Sequence, residues 1–283
     1  MKKKRVIILG SNGFVASHVS NILKKQKNVT CIELSKKSLD LSKKTSSEKL
    51  KKIVKNGDSV FFAAAKAPVK NMEMLIYNLS FLENFSNGIK GKKIKKFLYL
   101  SSDAVYHDTK KQISETTPAN PTSLHGFMHL LRENYFKDYF SNKLCILRPT
   151  LIYGDKDPHN GYGPNKFIRA IKKNINIQLF GKGEEKRDHI YVGDVAKIIS
   201  ELCINNLNET FNIATGKIYS FYKISKTIEI ISGKKNKIKF LNRTGPMPHL
   251  GYRKFNTRKL KKVFSHIRIK DLIKNLKEQY TNY

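Results

Sequence analysis

The stretch Val6-Ile7-Ile8-Leu9-Gly10-Ser11-Asn12-Gly13-Phe14-Val15-Ala16-Ser17-His18 decides the fold. Its first four residues are uniformly apolar, as in a strand buried on both faces. From Phe14 the pattern changes, and Val15, Val19, Ile22 and Leu23 recur at helical spacing. Between them, Gly10 permits a tight turn and Gly13 lets backbone reach a bound anion. Ala16 stands where a third small residue allows close helix–sheet packing. A glycine turn that ends a strand and opens a helix presents free amides and a positive dipole end, which suit a pyrophosphate. The backbone of Gly10, Ser11, Asn12, Gly13, Phe14 and Val15 is therefore expected to cradle a dinucleotide. An ordinary strand–helix turn is the plainer alternative.

Working outward, apolar runs alternate with amphipathic segments. Val29–Leu34 reads as a strand, Leu50–Val54 as part of a helix, and Ser59–Ala65 as a strand running into a small-residue turn. A helix over Met72–Phe85, a strand over Lys96–Ser101, a helix over His125–Phe140 and a strand over Leu144–Leu147 follow. Pro149 stops that last strand. This rhythm is that of a parallel sheet with crossover helices. After Pro149 the residues 155–164 are loop-like, and shorter elements follow: helices over Phe167–Lys173, Asp194–Cys203, Phe221–Ile231 and Leu272–Tyr280, and a strand over Ile177–Phe180.

The 283 residues suffice for one large domain or two intimate ones. No apolar stretch approaches the roughly 20 residues of a membrane span. The basic start Met1-Lys2-Lys3-Lys4-Arg5 leads into too short an apolar run for an export signal. Cys31, Cys145 and Cys203 lack disulfide or zinc spacing, so no metal is expected and a cytoplasmic location is. The net charge of +33 is spread as lysine pairs such as Lys24-Lys25 and Lys172-Lys173. We read it as solvated lysine compatible with an anionic substrate, with a nucleic-acid partner as the less favoured alternative.

At the end of the second strand the signals conflict. Glu33 suits both ribose hydroxyls of NAD, whereas Lys36 and Lys37 suit the 2′-phosphate of NADP, so the cofactor stays open between the two. Asp40 and Leu41 suit the flank of an adenine. The alternative is that Asp40 or Ser42 caps a helix.

The segments GSNGFVASH (10–18), FFAAAKAP (61–68), Asn78, FLYLSSDAVY (97–106), LRPTLIYG (147–154) and KRDHIYVGDVA (186–196) come next. Taken in this order, the chain resembles the extended short-chain dehydrogenase/reductase family of nucleotide-sugar epimerases, dehydratases and reductases. The resemblance implies a Rossmann-type doubly wound α/β fold over residues 1–150, with a helix near 193–205 packing back on it. A smaller α/β substrate lid would occupy 151–283, and ligands would bind at the carboxyl ends of the strands. It further implies cofactor contacts from Ala63, Ala64, Ala65, Asn78 and Pro149. Ser102 would be the catalytic serine, and Asp103, Asn165, Lys166, Phe167 and Arg187 would meet a nucleotide-sugar. Relatives often dimerise through two helices, for which Met72–Phe85 and Leu124–Phe140 are the candidates.

One departure stands out. The family's Tyr-x-x-x-Lys pair is replaced by His125 and His129, which share a helix face at i and i+4. His125 can serve as general acid/base, with His129 holding the cofactor as a neutral donor. Alternatively the shorter imidazoles leave a degenerate site, and the protein is a cofactor-binding relative with a regulatory or RNA-associated role. A metal reading is disfavoured because no third ligand is evident. Asp103-Ala104 supplies one of the two carboxyl groups a dehydratase uses, so epimerisation or keto reduction is expected over dehydration.

Overall fold

The computed structural model describes residues 3–283 apart from 156, 159 and 236. Met1 and Lys2 of the basic start, and Lys156 and His159 of the 155–164 loop, therefore lie outside the described residues. β1 (Lys4–Leu9) has Val6 to Leu9 fully buried, as expected of an interior strand of a sheet covered on both faces. β2 (Val29–Leu34) pairs with one edge of β1 and β3 (Ser59–Phe62) with the other, both parallel. β4 (Lys96–Leu100) and β5 (Leu144–Pro149) extend the sheet in parallel on the far side of β3. The chain thus leaves β1 to one side and returns on the other. That reversal opens a crevice at the carboxyl ends of β1 and β3, where ligands bind in such sheets.

The crossover helices are α1 (Phe14–Lys24), α2 (Thr45–Ile53), α3 (Met72–Ile89) and α4 (Leu124–Phe140). On one face, α3 and α4 bury an aromatic cluster built from Phe62, Phe85, Phe97, Phe136 and Phe140. Phe97 and Phe140 stack with ring centroids 4.0 Å apart. Such rings supply large apolar area and fix the helices on the sheet.

Two boundaries and one helix cap differ from the sequence expectation. The third strand stops at Phe62, because after Ala63 donates to the Leu9 carbonyl at 3.0 Å the alanines leave the ladder. The second helix begins at Thr45, five residues before its apolar signal, since its first turn is polar. Neither Asp40 nor Ser42 caps it. Instead the Asp40 carboxylate accepts from the Ser42 amide and hydroxyl, at 3.0 and 2.7 Å, in a local turn.

The chain forms two compact units: Met1–His107 with Thr117–Pro149 and Val195–Phe211, and Asp108–Thr116 with Thr150–Asp194 and Asn212–Tyr283. The remaining elements are β6 (Leu151–Tyr153), α5 (Pro164–Lys172), β7 (Ile177–Phe180), β8 (Lys186–Tyr191), α6 (Val192–Leu202), β9 (Thr210–Ile213), β10 (Ile218–Ser220), α7 (Phe221–Ser232), β11 (Ile238–Leu241), β12 (Tyr252–Arg253), α8 (Arg258–Val263) and α9 (Leu272–Asn282). The large sheet runs β2-β1-β3-β4-β5-β9. In the second unit β8 is the hub, pairing with β6, β10 and β12, while β7 pairs with β11. Its core joins Phe167, Ile168 and Ile171 of α5 to Phe221, Ile224 and Ile228 of α7 and Leu272 and Leu276 of α9. Several of its strands carry no sequence signal, because they are only two to four residues long with mixed burial.

Candidate active site

Gly10 sits at φ +81° directly after β1, and a Cβ built there would lie 2.8 Å from Ala64 Cα and 2.9 Å from Ala64 N. Only glycine lets the ends of β1 and β3 approach this closely. The Gly13 amide closes the turn on the Gly10 carbonyl at 2.9 Å, and the Gly10 and Ser11 amides bond the Leu34 carbonyl at 2.8 and 3.2 Å. In front of the turn lies a cavity of about 520 Å³. This volume falls within the range of small-molecule and cofactor sites.

Gly10, Asn12, Gly13, Lys36, Asp40, Leu41 and Ala63 to Ala65 line this cavity. Other expected contacts lie elsewhere. Ser11 is buried in the turn, Val15 is buried, and Phe14 packs edge-on against His18 with centroids 5.5 Å apart. Glu33 points to α1, accepting from Ser20 Oγ at 2.5 Å and pairing with Lys24, which holds its carboxyl below the usual range.

Asn78 is fully buried behind the cavity wall. Its amide exchanges two 3.0 Å hydrogen bonds with the Lys66 backbone and donates to the Met74 carbonyl at 2.8 Å. It therefore shapes the Ala63–Lys66 wall through Lys66. A residue that the sequence analysis does not single out supports the same wall: buried Arg132 donates to the Ala64 carbonyl at 3.0 Å and the Asn78 carbonyl at 2.5 Å. The signal available was its position, seven residues after His125 and three after His129 on one helical stripe.

Next along the sheet, Ser102 is half-buried and caps a short turn over Asp103–Val105, its Oγ accepting from the Ala104 amide at 3.1 Å. The hydroxyl proton remains available to a ligand. Asp103 is buried in this turn. Gly126 brings α4 onto it: a Cβ there would lie 2.1 Å from the Ala104 carbonyl oxygen and 2.6 Å from Pro121 Cβ. The glycine between the two histidines thus draws the start of α4 against the serine turn.

His125 is half-buried, with Nδ1 facing the Val69 amide at 3.5 Å, and its ring lies 4.7 Å edge-to-face from that of His129. His129 is only 5% exposed, and its Nδ1 meets the Tyr99 hydroxyl at 2.7 Å. Burial, His125 and Arg132 push the His129 pKa well down, so it is neutral. Burial pushes Tyr99 up, so the phenol keeps its proton. With the Arg132 guanidinium against the phenol oxygen, the hydroxyl is assigned as donor to Nδ1, which puts the His129 ring proton on Nε2.

Beneath the helix, Glu133 takes Arg148 bidentately at 2.9 and 2.5 Å and accepts from Ser101 Oγ at 2.5 Å, while Arg148 also reaches the Tyr106 hydroxyl at 2.8 Å. This buried network ties α4 to β5 and to the serine strand. Pro149, at the end of β5, is buried.

In the second unit, Asn165 bonds the Gly154 amide at 3.2 Å and Asp157 at 2.8 Å, so its side chain pins a loop. Lys166 is exposed. Phe167 puts its side chain in the core, edge-on to Tyr162 and Phe221. Arg187 is buried with Nη1 3.2 Å from Glu185, whose pKa is raised by that burial against the pull of Arg187 and Arg243. Arg243, which the sequence analysis does not single out, pairs with the neighbouring Glu184 at 3.9 Å and donates to the Phe180 carbonyl at 3.1 Å. Among the described residues, no group of three or more metal-ligand side chains is placed to hold a metal ion. No described helix is long and apolar enough to cross a membrane.

Residues 6–214 match the profile of the NAD dependent epimerase/dehydratase family. A Methanocaldococcus jannaschii protein designated a UDP-glucose 4-epimerase is 30% identical over 238 residues, covering 75% of this chain and 77% of that one. An uncharacterized UDP-glucose epimerase of Bacillus subtilis is 25% identical over 279 residues, covering 86% and 87%. Among solved structures, the UDP-glucose 4-epimerase of Thermotoga maritima superposes with a TM-score of 0.84 at 21% identity, covering 98% of this chain and 97% of that one. The Thermus thermophilus UDP-glucose 4-epimerase in complex with NAD gives a TM-score of 0.81 at 21% identity, covering 98% of each chain.

Proposed function

Because the chain belongs to the NAD dependent epimerase/dehydratase family, we propose that it is a nicotinamide-dependent enzyme acting on a nucleotide-activated sugar, with epimerisation or keto reduction as its reaction. The observation that carries this reading is the cradle itself: a positive-φ glycine that no other residue can replace, opening on a cavity walled by Ala63 to Ala65. Gly10, Asn12, Gly13 and the three alanines would hold the coenzyme, whose nicotinamide supplies reversible hydride transfer when bound.

The chain's own residues divide the remaining work. Ser102 donates its free hydroxyl proton to the reacting sugar oxygen, since its lone pair is already engaged by Ala104. His125 takes the place of the family's tyrosine and moves the proton through Nε2, the ring atom opposite the one facing Val69. His129 takes the place of the lysine. Held neutral and in a fixed tautomer by Tyr99, it offers Nε2–H as a hydrogen-bond donor without adding a charge beside His125. Two charged imidazoles 4.7 Å apart would repel, so a neutral partner keeps His125 free to cycle. In the second unit, Arg187 with Arg243 suits the diphosphate of a nucleotide-sugar.

We also assign a homodimer face to α3 and α4. Met72 and Ile76 on one helix and Phe127 and Leu131 on the other stay exposed at i, i+4 spacing, with Tyr139 exposed eight residues further along. Light scattering of wild type and Leu131→Glu tests this, with a dimer and a monomer expected; a monomeric wild type refutes it.

The test of function is turnover of a panel of UDP-sugars, with and without added NAD and NADP, followed by product analysis. His125→Ala should lose at least about 100-fold in rate while still binding coenzyme. Unchanged turnover in that variant rules out His125 as the acid/base. Coenzyme binding with no turnover on any nucleotide-sugar favours the degenerate, regulatory reading instead.

A further inference from the structure

Residues 230–270 hold thirteen lysines and arginines and no aspartate or glutamate. Within this stretch the second unit forms a hollow of about 280 Å³, with Lys217, Lys254, Arg258 and Lys261 in its wall and no carboxylate among its lining residues. Neither Arg187 nor Arg253 lines it, so it is separate from the guanidinium assigned above to the nucleotide-sugar.

Local packing sets the cations around this hollow. Lys254 stands between buried Arg253 and Phe255, and alternation turns it the other way. Arg258 and Lys261 share the exposed face of α8 at i, i+3 spacing, while Leu260 and Phe264 are buried on its inner face. The Arg258 amide is fixed by Asn256 Oδ1 at 2.9 Å, which leaves the Asn256 Nδ2 hydrogens as neutral donors in the same wall. Opposite, buried Asp188 holds the turn at Thr215 and Gly216 through their amides at 3.1 and 2.7 Å. Gly216, at φ +78°, lets that turn close on Thr257, whose Oγ1 lies 2.9 Å from where a Cβ would stand.

Lys254, Arg258 and Lys261 make no ion pair among the described residues. Three uncompensated cations around one concavity repel each other and focus a positive field into it, which favours an anion there. An arginine fork beside two ammonium groups suits the several oxygens of a phosphoryl group.

A second hollow, of about 430 Å³, shares Thr215, Lys217 and Lys261 with the first. Its character differs, because Phe264, Ile267 and Ile269 give it an apolar lining. Its one lining carboxylate, Asp271, is engaged by Lys217 Nζ at 2.9 Å and the Tyr219 hydroxyl at 2.7 Å. A basic hollow joined to an apolar one suits a ligand with a charged head and an apolar body.

We propose that the second unit carries a further ligand site, for an organic phosphate whose phosphoryl group sits among Lys254, Arg258 and Lys261 and whose apolar body lies over Ile267 and Ile269. The site is independent of the coenzyme cavity, none of whose lining residues it shares.

Calorimetry of the whole protein, with NAD and UDP present in excess, tests this with naphthyl phosphate, naphthol and inorganic phosphate as probes. We expect naphthyl phosphate to bind once per chain, at least tenfold tighter than either fragment, and more weakly as salt rises. Lys254→Ala/Lys261→Ala should weaken it at least tenfold while leaving NAD affinity and the melting temperature near wild type. Ile269→Ala should narrow the gap between naphthyl phosphate and inorganic phosphate several-fold.

No binding of naphthyl phosphate, or binding that the double lysine variant leaves unchanged, overturns the proposal and leaves the coenzyme reading standing. Inorganic phosphate binding as tightly as naphthyl phosphate overturns the apolar half of the site. A short oligouridylate that binds tighter than naphthyl phosphate and is weakened by the same variant overturns the small-ligand assignment in favour of a nucleic-acid surface.

Discussion

Replacing Gly10 by alanine should damage both stability and coenzyme binding, and a second glycine separates the two effects. Gly57 also has a positive φ, +86°, but a Cβ there meets nothing within 4 Å. Gly57→Ala therefore suffers only the backbone penalty of a left-handed L-residue, about 1–2 kcal/mol. At about 2–4 °C per kcal/mol for a chain of this size class, the loss in Tm is roughly 2–8 °C. Gly10→Ala carries the same penalty plus an overlap with backbone, because its Cβ would lie 2.8 Å from Ala64 Cα. Ordinary carbon contacts are about 3.5–4.0 Å, so the Ala64 wall must retreat by about 1 Å. That wall carries Ala63 to Ala65 and is held from behind by Arg132. It cannot yield without disturbing the cavity. We expect Gly10→Ala to melt below Gly57→Ala and to bind coenzyme at least about tenfold more weakly, a loss of about 1.4 kcal/mol. Gly57→Ala should bind as wild type. Thermal melts and calorimetry on the three proteins check this. Equal melting of the two variants, with coenzyme affinity intact in Gly10→Ala, would refute the close-approach argument.

The other predictions concern the buried polar groups. Glu133→Ala strands Arg148 in the core and should cost about 3–5 kcal/mol in urea unfolding; a loss below about 1 kcal/mol would contradict the network. Tyr99→Phe leaves His129 Nδ1 buried and unpaired, at about 1–3 kcal/mol. It should also lower kcat by releasing the tautomer, and an unaltered kcat would show that the phenol does not position the ring. Acid should weaken the fold through His189, whose buried ring nitrogens have no hydrogen-bond partner among the described residues and whose pKa burial pushes down to about 3. Its unfolded value is about 6.5, so below that pH the unfolded chain binds a proton that the folded one refuses. The stability is fully present above pH 6.5 and lost as pH falls toward the folded value, about 2 kcal/mol of it by pH 5. His129 is shifted in the same direction and adds to the slope. Stability flat between pH 7 and 5 would exclude this account.

What was legible in the sequence and what was not follow from the range of the forces involved. The glycine turn is local: a strand, a bend and a helix written in consecutive residues, with Gly10 and Gly13 at the positions that need them. The same holds for the alanines after β3 and the serine before its short turn. Glu33 was legible as a carboxylate at the right place. Its capture by Lys24 and Ser20 depends on how α1 lies across β2, which no local pattern records. Asn78 and Arg132 sit on different helices and converge behind one stretch of backbone, so their shared role required the packing. The packing of the Phe167 side chain into the core is likewise a matter of how α5 meets α7, which its own short motif does not record. In the second unit, β8 is recognisable as a motif but gives no alternation, because all but its two end residues are buried.

The account stands on one physical statement, that the turn after β1 holds the linked phosphates of a two-nucleotide coenzyme. Native mass spectrometry of the purified, folded protein titrated with NAD and NADP tests it most directly. The prediction is a complex carrying one nicotinamide dinucleotide per chain, diminished in Gly10→Ala. Folded protein that acquires neither dinucleotide at millimolar concentration would contradict it.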